Sequence, residues 1–91
     1  MSERTATIAS RVGLHARPAS IFAEAAAELG IEVSISRQGE SAQEALDASS
    51  MLALMSLGAE HGDVVVLRAD GPDADDALTA LARILETDHD A

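Results

Sequence analysis

Val64-Val65-Val66-Leu67-Arg68-Ala69, running straight into Asp70-Gly71-Pro72, is the stretch on which the reading of the fold turns. The first six residues form a strongly β-branched run, the best strand in the chain, because branched side chains suit a pleated, half-buried surface. Asp70-Gly71-Pro72 then starts a helix, with Pro72 near its first position, where a missing N–H costs nothing. Asp73, Asp75 and Asp76 complement the positive end of the helix dipole. Ala74, Ala77, Leu78, Leu81 and Leu85 form its buried stripe.

Working outward, His61-Gly62-Asp63 makes the turn before this strand. Ser50 caps a short helix through Met51, Leu54, Met55 and Leu57, which Gly58 ends. Ile31 to Ser36 alternates strictly, Ile31, Val33 and Ile35 pointing inward, and reads as a half-buried strand. Gln38-Gly39-Glu40 turns the chain. Ser41 to Asp47 is two-sided: Ala42, Glu44, Ala45 and Leu46 favour helix by propensity, whereas the position after a turn suits a returning strand. A short edge strand or an irregular extended hairpin is expected there. Ala16 to Leu29 is helical, with Ala19, Phe22, Ala26 and Leu29 on one stripe, Pro18 in the first turn and Gly30 as the stop. Thr5 to Ala9 reads as a short strand with Ala6 and Ile8 on one face, broken by Gly13, and Thr87 to Ala91 as a frayed tail. The interleaved order, the hairpin and the short links predict an α+β sandwich: an antiparallel sheet with helices covering one face.

Ninety-one residues make one domain with a modest core and no deep substrate cavity. There is no cysteine, so disulfides and cysteine–zinc sites are excluded and a reducing cytoplasm, the expected location, is compatible. No stretch reaches the roughly 18 apolar residues of a membrane span, and Met1-Ser2-Glu3-Arg4 does not open a signal peptide. Sixteen acids face six bases, all of them arginine, for a net charge of −10. Such a surface repels nucleic acid and anionic lipid, which need clustered cations. A GC-rich genome favouring Arg over Lys is one origin of this balance; a salt-rich cell interior, where screening suppresses self-repulsion, is the other. The second predicts a fold that loosens on dilution, read as a melting temperature that falls from multimolar to low salt. A melting temperature unchanged over that range removes it.

Gly13-Leu14-His15-Ala16-Arg17-Pro18-Ala19-Ser20 is the segment that carries chemistry. Pro18 sets the start of a helix, so His15 falls at or beside the N-cap, ahead of backbone N–H groups that lack helical acceptors. Such an end attracts anions, and Arg17 adds a permanent forked cation in the same turn. Dipole and guanidinium both disfavour the imidazolium, leaving the ring neutral and nucleophilic. The same groups stabilise a phosphoryl group during and after transfer. The residues alone leave open that His15 is a plain turn residue and Arg17 a solvated charge.

Gly13-Leu14-His15-Ala16-Arg17-Pro18-Ala19 resembles the active-site motif of the HPr family, the phosphocarriers of the phosphoenolpyruvate-dependent sugar phosphotransferase system. Ser50-Met51-Leu52-Ala53-Leu54-Met55-Ser56-Leu57-Gly58-Ala59 resembles that family's regulatory-serine helix, and Gly71-Pro72-Asp73-Ala74-Asp75-Asp76-Ala77-Leu78 the start of its last helix. The resemblance implies an open-faced sandwich of four antiparallel strands under three helices. It implies a phosphoryl group received from enzyme I on Nδ1 of His15, stabilised by Arg17 and by the N–H groups of Ala16 and Arg17, then passed to an enzyme IIA. It matches Ser50 to a serine phosphorylated by a kinase in some bacteria, although plain capping accounts for that residue too. It marks Ser20, Met51, Leu52 and Met55 as the partner-docking surface; Leu54 and Leu57 are expected in the core. A monomer without cofactor or metal is implied.

His61 and His89 have no ligand-like spacing with His15 and read as solvated, and Asp73, Asp75 and Asp76 as a capped helix start rather than a cation site. The link between Ile35 and Ser50 is a few residues longer than is usual in the family, which leaves the edge strand and partner choice open. Donation to a dihydroxyacetone kinase, or to a nitrogen-type regulatory branch, is the alternative to sugar uptake. Two other classes fit less well. A regulatory binding protein of this fold would lack the histidine, and an acylphosphatase would carry an arginine-bearing glycine loop.

Overall fold

The computed structural model describes residues 2–87 apart from Val12 and His15, and Ala16 and Ala42 without their side chains. β4 (Val64–Ala69) lies between β1 (Ser2–Thr7) and β2 (Val33–Arg37), and the two-residue β3 (Leu46–Asp47) pairs with the far side of β2. All three pairings are antiparallel. The most β-branched run is thus a strand with neighbours on both edges: Val65 stands opposite Ala6 on one side and Arg37 on the other. Val65, Leu67 and Ala69 face the core with Ala6, Val33 and Ile35.

The helices cover that one face. α1 (Ala16–Glu28) packs on α2 (Met51–Leu57) and α3 (Ala74–Leu85); α3 lies on β1 and β4, and α2 on β2 and β3. This is the expected α+β open-faced sandwich. Phe22 from α1, Leu54 from α2, and Leu78 and Leu81 from α3 meet above the sheet, fully buried. Each such side chain contributes about 1.5–3 kcal/mol relative to exposure.

Several boundaries differ from the sequence reading. β1 runs from Ser2 to Thr7, so Ile8 lies past the strand, yet stays buried while its N–H donates to the Asp63 carbonyl (2.9 Å). Leu29 leaves the buried stripe and is 37% exposed, because α1 stops at Glu28 and Leu29 belongs to the turn that follows. β2 starts at Val33, which leaves Ile31 half-buried. α3 starts at Ala74 with Asp73 as its N-cap, so Pro72 precedes the first turn; Asp75 and Asp76 are in that turn, and the Asp73 side chain makes no cap bond. Thr87 is tied to α3, its hydroxyl donating to the Arg83 carbonyl (2.7 Å); residues 88–91 lie outside the described ones.

The ambiguous segment splits. Ala42–Glu44 takes one 3-10 turn and Leu46–Asp47 the edge pairing, opposite Ile35 and Ser34. Two residues of strand are a minimal edge, which offers little ladder to a foreign strand. Asp47 then accepts hydrogen bonds from the hydroxyl (2.7 Å) and the N–H (2.9 Å) of Ser49. These two bonds, the hydroxyl's first, hold its carboxyl below the usual range. Ser36, polar and expected on the solvent side of β2, is fully buried. Its hydroxyl accepts from Arg68 Nη1 (2.8 Å), and Arg68 Nε donates to Glu3 (2.8 Å), so the buried oxygen is satisfied. Among the described residues no helix is long and apolar enough to cross a membrane.

Candidate functional site

Every element of the site is built around the start of α1. His15 itself lies outside the described residues; its neighbours do not. Gly13 has φ +76°, a left-handed conformation that glycine adopts without strain. A Cβ there would lie 2.7 Å from the Ala59 carbonyl oxygen and 2.9 Å from Glu60 Cα. Glycine is therefore required twice, by the dihedral and by the close approach of two backbones. Leu14 is buried and donates its N–H to the Ala59 carbonyl (2.9 Å). α1 begins at Ala16, the residue after His15, and has no acidic side chain in its first turn.

The first N–H groups of a helix have no acceptor within it. Here Pro18 contributes none, which leaves Ala16 and Arg17 as the free donors of the first turn. Pro18 and Ala19 are buried, which anchors the turn on the core, while Arg17 is exposed and Ser20 half-buried. Arg17 makes no ion pair among the described residues, whereas Arg37 is paired with Asp63 (3.2 Å) and Arg68 with Glu3 (2.8 Å). A guanidinium with no ion pair among the described residues and the first amides of a helix are groups that favour an anion at this helix start.

α2 packs beside α1. The sequence reading divides its apolar residues correctly. Leu54 and Leu57 are buried, while Leu52 is 81% exposed, Met51 40% and Met55 41%. A seven-residue helix has one core face, and these three lie off it. Ser50 is the N-cap of α2, its Oγ accepting from the Ala53 N–H (3.2 Å), and Gly58 closes the helix at φ +70°. Ser50→Ala should lower stability by about 1 kcal/mol, read as a lower urea midpoint with an unchanged slope.

A separate concavity lies elsewhere. An open groove of about 580 Å³ runs beside β3, lined by Glu32, Ser34, Asp47, Arg68 and Asp70 among others. Three carboxylates face it, and its one arginine already serves Glu3 and Ser36, so it suits no phosphate. No group of three metal-ligating side chains occurs among the described residues. His61 is exposed in a turn, as the sequence reading has it, and in addition its Nδ1 lies within hydrogen-bond distance of the carbonyls of Ala9 (3.1 Å) and Ser10 (3.3 Å), in the loop that leads to His15. No pattern of spacing connects residues 51 and 52 positions apart.

Comparison with known proteins agrees with this geometry. The family model described as the PTS HPr component phosphorylation site matches residues 2–87. Phosphocarrier protein HPr of Haloferax volcanii is 46% identical over 85 residues, covering 93% of each chain. That of Streptomyces coelicolor is 42% identical, covering 93% of this chain and 88% of the relative. Among solved structures, HPr from Bacillus anthracis superposes with a TM-score of 0.81 at 28% identity, covering 92% of this chain and 95% of its own. An HPr from Thermoanaerobacter tengcongensis gives 0.80 at 36%, covering 94% and 92%. The chain belongs to the HPr family, the phosphocarrier proteins of the phosphotransferase system.

Proposed function

We propose that His15 is the phosphoryl acceptor: its Nδ1 takes the group from phospho-enzyme I and passes it to an enzyme IIA in sugar uptake. The lone pair of a neutral ring attacks phosphorus, the nitrogen–phosphorus bond of the donor breaks, and the proton stays on Nε2. Reversal of the same step on the acceptor protein releases the group. Family membership carries interaction with enzyme I and IIA components in general. The observation that supports His15 is the start of α1 at the very next residue, with no acidic side chain in its first turn and an Arg17 that makes no ion pair among the described residues.

In this reading the Ala16 and Arg17 amides and the Arg17 guanidinium stabilise charge that spreads over the phosphoryl oxygens. Arg17→Ala should fold normally, since the side chain is exposed, yet lose roughly a hundredfold in transfer rate, the lower end of the range for one lost donor to developing charge. Stopped-flow transfer from phospho-enzyme I measures it. Ser20, Met51, Leu52 and Met55 form the docking surface; the exposure of the last three supports this. Adaptable methionines suit a face that serves successive partners. Phosphorylation of Ser50 would place charge beside that face and block docking, at the expense of the Ala53 cap bond.

The carrier is a cytoplasmic monomer and a single domain in this reading. Reconstitution with enzyme I, labelled phosphoenolpyruvate and a panel of acceptors tests it. Label moving to an enzyme IIA supports sugar uptake; label moving only to a dihydroxyacetone kinase or to a nitrogen-type acceptor would redirect it.

A further inference from the structure

We infer that His61 is a positioning residue for phosphoryl transfer, acting through the loop that delivers His15; this rests on the phosphocarrier reading above. The loop between β1 and α1 lies against the loop between α2 and β4. Backbone bonds fasten its ends: Ile8 N–H to Asp63 O (2.9 Å), Gly62 N–H to Ile8 O (2.8 Å) and Leu14 N–H to Ala59 O (2.9 Å). Between those ends the chain must turn. The Gly13 N–H closes the turn on the Ser10 carbonyl (3.0 Å).

The His61 ring reaches that same carbonyl. Its Nδ1 lies 3.3 Å from Ser10 O and 3.1 Å from Ala9 O. Carbonyl oxygens only accept, so Nδ1 carries the hydrogen whether the ring is neutral or charged. The Ser10 oxygen thus takes two donors, one from inside the turn and one from the opposing loop. Fixing that oxygen fixes the direction of the Gly13 N–H, hence the left-handed step at Gly13 and the line along which Leu14 enters α1. An imidazole of residue 15 delivered even about 1 Å from its attack line can lose a hundredfold in rate.

His61 is itself exposed, so its removal changes the core little. A purely structural role would move stability and leave transfer alone. A docking role would move KM for enzyme I. The positioning role moves the turnover number and spares KM, because the docking face on α2 is untouched. The atom responsible is also specific. Asparagine places an amide N–H at the Nδ1 position, whereas glutamine places its amide one bond farther out.

The test is phosphoryl uptake from phospho-enzyme I by wild type, His61→Ala, His61→Asn and His61→Gln, with kcat and KM separated. A melting curve of each variant controls for folding. Expected is a turnover about tenfold lower in His61→Ala and His61→Gln, restored to within twofold by His61→Asn, with KM unchanged in all. Equal turnover in wild type and His61→Ala, a change confined to KM, or no rescue by a folded His61→Asn would overturn the inference. Wild type that takes no label sinks the phosphocarrier reading instead, and this inference with it.

Discussion

Incubated with enzyme I and labelled phosphoenolpyruvate, the wild-type protein should take up one phosphoryl group that acid releases and base leaves in place, and His15→Ala should take up none. That stability pattern belongs to phosphorus on nitrogen and separates phosphohistidine from a phosphoserine at Ser50. The loss should be total rather than partial. Transfer needs a lone pair at the place where charge is stabilised, and alanine has none. His61 offers no substitute, because it lies in the turn between α2 and β4 and not at the head of α1, where the amides and Arg17 stand. The replacement should not unfold the chain, since the Gly13 and Leu14 contacts and the helix start at Ala16 do not need the ring. Acid-labile label persisting in folded His15→Ala would move the acceptor to another histidine. Acid-stable label would point to a hydroxyl.

The next largest effect is expected at Gly13. Gly13→Ala puts a Cβ at 2.7 Å from the Ala59 oxygen and 2.9 Å from Glu60 Cα, and both of those are backbone. Neither can rotate away as the end of a flexible side chain would. The left-handed conformation adds about 1–2 kcal/mol for any residue with a Cβ, and forced overpacking about 1–3 kcal/mol. A total near 3 kcal/mol is a large share of the about 5–15 kcal/mol that holds a domain together. It should lower the melting temperature by on the order of 15 °C. Gly58→Ala is the matched comparison. Its φ is +70°, nearly the same, but a Cβ there meets nothing within 4 Å. Only the dihedral cost of about 1–2 kcal/mol should appear. If the two variants melt together, the close packing of the two loops is wrong. Gly13→Ala should also slow phosphoryl uptake in whatever fraction remains folded, because the Leu14 bond to Ala59 opens with it.

Where local rules governed, the sequence was legible. The β-branched run at Val64–Ala69 became the central strand, the stripe of Ala74, Ala77, Leu78, Leu81 and Leu85 was buried, and Ser50 capped α2. The division of α2 into buried Leu54 and Leu57 and exposed Met51 and Leu52 also followed, since one short helix has one inner face. The helix start after Gly13-Leu14 was legible for the same reason: Pro18 marks a helix start, and a helix start has free amides whatever lies around it; the role of His15 there came from the resemblance to the HPr family and not from local rules.

Contacts between distant segments were not legible. Ser36 follows the alternation of a solvent-facing strand position, yet lies buried because Arg68, 32 residues further along the chain, reaches across to it. Leu29 fits a buried stripe by spacing, but the helix stops one residue too early to carry it inward. The Ser41–Asp47 segment held two balanced propensities, and pairing with β2 claimed only Leu46 and Asp47.

By itself, then, the sequence determined the elements, their inner faces and the chemistry offered at the head of α1, because periodicity, capping and dipoles act over a few residues. Tertiary structure alone decided which loop lies against the approach to His15, why Gly13 tolerates no Cβ and what His61 touches. Those outcomes depend on the docking of chain segments some fifty residues apart, and no local pattern encodes the distance between them.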